Sequence, residues 1–134
     1  MSQARTAYVT ASTLPATPRE RLHLAAIAAA IADDFESFKA ALGRLLEQYP
    51  RDVLALQAGH ALDYLTGDSE QLGARVAAVL PAWSRDLPGY HAVLVMQAFS
   101  LVECARYVDA LDRGQQALEI NPWDSRPSRT YACV

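Results

Sequence analysis

Apolar residues along the chain recur at steps of three and four, and prolines, glycines and aspartates interrupt the runs at regular intervals. A first helix is predicted from Pro18. Thr17 stands at the cap, Glu20 three residues on completes a capping box, and Leu22, Ala25, Ala26, Ala29 and Ala30 form a face of small side chains up to Asp33-Asp34. A second helix starts at Phe35 with the stripe Phe38, Leu42, Leu45, Leu46 and Tyr49, and ends at Pro50. Asp52 caps a third, carrying Leu54, Ala58, Ala61, Leu62 and Leu65 and stopped by Gly67. Asp68 or Ser69 caps a fourth with Leu72, Val76, Val79 and Leu80, closed by Pro81, and Trp83 to Leu87 make a longer connection. A fifth runs from about Gly89 to Ala105 with Val93, Leu94, Ala98, Leu101 and Val102 on a face broad enough to predict the most buried helix. Tyr107, Ala110, Leu111, Ala117 and Leu118 mark a sixth, ended by Asn121-Pro122. Residues 1–16 have no helical period and read as a flexible lead-in, and residues 125–134 as an irregular tail.

Six helices in three antiparallel hairpins make an all-α domain over residues 17–124, and its punctuation repeats. Tyr49-Pro50-Arg51-Asp52 returns as Asn121-Pro122-Trp123-Asp124, and Pro18, Pro50, Pro88 and Pro122 follow one another at nearly even intervals, the middle one longest. The interval is close to the ~34-residue period of tetratricopeptide repeats, with an insertion in the middle unit. The expected architecture is a short right-handed solenoid. In the third unit Ala98, Tyr107, Ala110, Ala117 and Pro122 stand where that repeat pattern asks for small, aromatic and terminating residues, although Leu94 and Ala98 replace its signature tryptophan and glycine.

Two longer runs resemble a particular family. Pro50-Arg51-Asp52, Leu54-Ala55-Leu56, His60 and Leu65-Thr66-Gly67-Asp68-Ser69, then Val79-Leu80-Pro81-Ala82-Trp83, Leu87-Pro88-Gly89-Tyr90, Ala98-Phe99 and Glu103, are similar to tetratricopeptide repeat protein 38 and its bacterial relatives. The resemblance covers roughly residues 19–124. It implies a longer chain with a further helix and a histidine- and tryptophan-rich second half, so the tail after Asp124 reads as that of a truncated or frame-altered relative. An uncapped apolar edge is then expected, covered by a second copy of the chain, by the lead-in or by a partner protein.

Charge narrows the partners. A net charge of −3 and a single lysine, Lys39, leave no basic excess for phosphates, which argues against nucleic acid. The longest apolar stretch, Leu24 to Ala32, falls far short of the ~20 residues of a membrane span. Two cysteines, Cys104 and Cys133, make no disulfide framework, so a cytoplasmic protein is expected, with Cys104 in the core.

Candidate chemistry is sparse. His60 lies one turn from Gln57, Asp63 and Tyr64, so Asp63 offers an orienting carboxylate for an acid–base histidine. The repeat register puts His60 at a small-residue packing position, which favours a structural role, and the resemblance implies a histidine at this place in the related proteins. Glu20 and His23 face each other one turn apart, and without HExxH or clustered Cys/His spacing they predict a surface pair and no metal site. No nucleotide loop or nucleophile elbow occurs, so no cofactor is expected, and the balance leans against an enzyme. The register instead assigns Glu20, His23, Gln57, Tyr64, Phe99 and Glu103 to the concave face of the first helices, aromatic anchors among polar groups that suit a protein or peptide partner, or self-association as a homodimer. The alternative is the N-terminal subdomain of a larger enzyme-like protein with a pocket near His60.

Overall fold

A computed structural model describes residues 2–126, and among these it is all-helical: α1 (Ser2–Ser12), α2 (Pro18–Ile31), α3 (Phe35–Gln48), α4 (Val53–Leu65), α5 (Ser69–Val79) with a 3-10 turn at Leu80–Ala82, α6 (Tyr90–Glu103) and α7 (Tyr107–Ile120). None of these helices is long and apolar enough to cross a membrane. The tail from residue 127, Cys133 included, lies outside the described residues. The described residues divide into two units, one up to Leu62 and one from Asp63, so α4 contributes to both.

The predicted helix ends follow from local capping. Thr17 Oγ1 accepts from the Glu20 N–H at 3.3 Å while the Thr17 N–H donates to Glu20 Oε2 at 2.7 Å, the reciprocal box expected from Thr-x-x-Glu. Asp34 and Asp68 cap α3 and α5 by accepting from the Ser37 and Gln71 N–H groups. The lead-in differs from expectation, because Ser2–Ser12 is helical and packs on α2. Its Thr and Ser hydroxyls donate back to carbonyls one turn earlier, as Thr10 does to Thr6 and Ser12 to Tyr8.

One turn geometry occurs three times. Asp33, Gly67 and Ala105 adopt left-handed backbone at φ 55°, 71° and 57°. In each case the N–H of the left-handed residue donates to the carbonyl three residues back, and the next N–H to the carbonyl five residues before it: Asp34 to Ala29 at 3.0 Å, Asp68 to Asp63 at 2.9 Å, Arg106 to Leu101 at 2.8 Å. This is the helix-ending pattern in which one left-handed residue satisfies the last carbonyls. Asp33, Gly67 and Ala105 stand roughly one repeat length apart along the chain, so the period in the punctuation is also a period in backbone geometry. The second punctuation mark repeats as well: the Asp52 N–H donates to Tyr49 O at 2.9 Å, and the Asp124 N–H to Asn121 O at 3.2 Å. Only Gly67 among the three left-handed positions is the residue that tolerates this backbone without a Cβ penalty. Ala105→Gly is therefore expected to stabilise the protein by about 0.5–1 kcal/mol, after allowance for the freer unfolded chain. A urea midpoint that falls would show the expectation wrong.

In the first unit α2 packs on α3, and Ala26, Ala41, Leu42, Leu45 and Leu46 are buried. In the second, α6 packs on α5 and α7 with Leu72, Val76, Val79, Val93, Leu94, Ala98, Ala110 and Ala117 buried. Leu94, Val95 and Ala117 form a cluster flanked by Tyr90 and Ile120. The small residues Ala110, Gly114 and Ala117 are the buried positions of α7, one helical stripe that admits close approach of a neighbour.

Two predicted faces and one predicted core residue need correction. On α2 only Ala26 of the alanine face is buried, and Ala25 is exposed. On α4 the buried positions are Ala55, Leu56, Gly59, Leu62 and Asp63, whereas Leu54, Ala61 and Leu65 are exposed. That helix is apolar nearly all round, so periodicity does not select its inner side. Cys104 is exposed at the C-cap of α6, its Sγ 3.6 Å from Ser69 O, because α6 ends earlier than the apolar run suggested.

Candidate functional site

In the second unit, the last turn of α4 presents Tyr64 and the third turn of α6 presents Phe99. Their rings meet edge to face, centroids 5.1 Å apart and planes at 73°, the arrangement favoured by aromatic quadrupoles. Tyr64 remains half exposed, and Leu65 beside it is 79% exposed. Glu103 lies one helical turn beyond Phe99 on α6 and is exposed, with no hydrogen-bond or ion-pair partner among the described residues.

In the first unit, Asp52 ends the Tyr49-Pro50-Arg51-Asp52 turn with its side chain fully buried. Its Oδ1 accepts from the Ala55 N–H at 3.0 Å, capping α4. Its Oδ2 accepts from Arg19 Nε and from His23 Nε2, each at 2.7 Å, both from α2. Burial is the largest influence on this carboxyl and opposes its ionisation, but the bonds from Arg19, the Ala55 N–H and His23 together outweigh it and hold the pKa below the ordinary value. Asp52 in turn raises Arg19, chiefly through their hydrogen bond. The guanidinium also sits over the Tyr49 ring, 6.0 Å from its centroid. Because the carboxylate is shared between an arginine, a histidine and a helix end, the cluster serves as a clamp between α2 and the start of α4.

His23 also lines a cavity of about 310 Å³ at the α1–α2 corner with Leu14, Pro15, Leu24 and Glu20. The predicted Glu20–His23 pair is thus corrected. Both residues border this cavity, but Glu20 bonds Thr17, whose N–H and hydroxyl hold its carboxyl below the ordinary range, and His23 bonds Asp52. Local capping and a long-range partner each outcompete a one-turn contact between exposed groups.

Of the remaining assigned residues, Gln57 is exposed on α4 and enters neither cluster, and His60 is half buried. Asp63, the orienting carboxylate expected for His60, is fully buried and gives both oxygens to Arg75, with Arg75 Nε donating to Oδ2 at 2.6 Å and Nη2 to Oδ1 at 3.1 Å. Sequence reasoning passed over Arg75, although a charged residue inside the stripe Leu72, Val76, Val79 was a signal for a buried ion pair. His91 Nε2 lies 3.3 Å from Asn121 Nδ2 and 3.7 Å from Asp124 Oδ2, a carboxylate distant in sequence. His91 precedes Asp124 by the same number of positions as Arg19 precedes Asp52, which makes the two contacts equivalent in the repeat. The hydrogen bond from Arg126 holds the Asp124 carboxyl below its ordinary pKa, against the opposing influence of burial.

No family model matches the chain. Among the described residues no group of three or more His, Cys, Asp or Glu side chains is placed to hold a metal ion. The geometry comprises an aromatic corner with an exposed carboxylate one helical turn from Phe99 in one unit, and an apolar corner cavity in the other.

Proposed function

We propose that this protein is a peptide-binding helical-repeat module of the tetratricopeptide type, related to tetratricopeptide repeat protein 38, with its hairpins stacked in a short right-handed solenoid. The threefold recurrence of one hairpin turn at nearly even intervals supports the repeat reading. The observation that carries the function is the Tyr64–Phe99 corner. These two rings come from the helices that open the second and third hairpins, the helices that line the binding face in such arrays, and Tyr64 stays half exposed and Phe99 partly exposed although aromatic surface is normally buried. A cytoplasmic site of action fits a chain with two cysteines and no disulfide framework.

Panning a displayed random-peptide library on the immobilised full chain tests this. Enriched peptides are expected to bind, and Tyr64→Ala or Phe99→Ala to weaken them about tenfold or more while the urea midpoint stays within a small margin of wild type, because Tyr64 is only half buried. Failure to enrich any sequence, or binding indifferent to both substitutions, would refute the reading. Light scattering over a concentration series addresses self-association, and a dimer abolished by Tyr64→Ala would replace the peptide with a second copy.

A further inference from the structure

Resting on that reading, we infer that the Tyr64–Phe99 corner selects a cationic partner: an extended segment carrying arginine or lysine beside an apolar residue. Charge complementarity leads there. Residues 1–62 hold six acidic and six basic side chains, whereas residues 63–134 hold nine acidic and six basic, so the whole net charge of −3 belongs to the part of the chain that builds the corner. α4 ends in Tyr64 and Leu65, and α6 ends in Glu103, one helical turn beyond Phe99. Glu103 adds a full negative charge at one of those ends, where its own helix disfavours it, and no described residue neutralises it.

Among the described residues that carboxylate has no partner, which leaves it open to a cationic group from outside. The aromatic geometry fits the same ligand. With the rings at 73°, one ring's edge meets the other's face, and Glu103 one helical turn beyond Phe99 offers a guanidinium a carboxylate within reach of the aromatic pair. The adjoining Leu65 supplies an apolar seat for the neighbouring side chain. An acidic segment would meet like charge at Glu103 and is disfavoured on the same grounds.

The test uses three fluorescein-labelled synthetic peptides of alternating Leu and X, where X is Arg, its neutral isostere citrulline, or Glu, titrated into the full chain by anisotropy at low and high salt. The Arg peptide is expected to bind about tenfold more tightly than the citrulline peptide, the Glu peptide not at all, and the Arg advantage to shrink with salt. Glu103→Gln should remove most of that advantage, read as the ratio of Arg-peptide to citrulline-peptide affinity. Phe99→Ala should weaken both. Equal binding of the Arg and citrulline peptides, or a Glu103→Gln variant that keeps the full preference, overturns the cationic assignment while leaving peptide binding intact. Should the library and all three peptides fail to bind, the peptide-binding reading falls and this inference with it.

Discussion

Arg75→Met is expected to lower the unfolding free energy by about 3–5 kcal/mol, the largest effect of any single substitution considered for this protein. Arg75 and Asp63 are both removed from water, with side-chain exposures of 3% and 0%, and meet in a two-point contact. Methionine preserves the volume but withdraws the guanidinium from a carboxylate that has no access to solvent, so the desolvation of Asp63 loses the charge that offsets it. Combining it with Asp63→Leu is expected to restore at least half of the loss, since replacing both charges by apolar groups removes the desolvation cost along with the attraction. Urea midpoints of the two variants check this, and a single-variant cost below about 1 kcal/mol would show the pair to be solvated in solution.

Asp52→Ala is the second large expectation, a loss of about 2 kcal/mol from removing a helix cap and the acceptor of two charged or polar donors. Arg19 is half exposed and regains water, so its share is small. The pH dependence has the sign of a carboxylate that is stabilised in its ionised form by the fold. The folded-state pKa of Asp52 lies below its ordinary value of about 3.9, so its contribution is fully present above the unfolded pKa and is lost as pH falls through the folded one. From about pH 5 down to the acid limit the wild type should therefore lose more stability than Asp52→Asn, whose side chain does not titrate in this window. Parallel pH profiles for the two proteins would contradict the placement of the carboxylate between Arg19 and His23.

Much of the fold was readable because its determinants are short-range. Thr17 and Glu20, Asp34, Asp52 and Asp68 cap helices through N–H groups three residues away, and Gly67 turns the backbone through a property of the residue itself. Ser2–Ser12 was missed because its alanine, serine and threonine content supplies no apolar stripe to count. The candidate site was legible in part. Tyr64 and Phe99 do meet, whereas His23 and Asp63 each bond a partner that spacing along a helix does not suggest.

The amino-acid order alone determined the all-helical class, most helix boundaries and the recurring punctuation, since these rest on backbone propensity and on contacts within one helical turn. Tertiary structure decided which side of α4 faces inward, that Arg75 takes Asp63 in a two-point contact, that Asp52 joins Arg19 and His23, and that Cys104 stays exposed. The physical reason is desolvation. Whether a charge or an apolar side chain belongs inside depends on what surrounds it once packed, and the partners of Asp52 stand 33 and 29 residues away along the chain, beyond the reach of any local pattern.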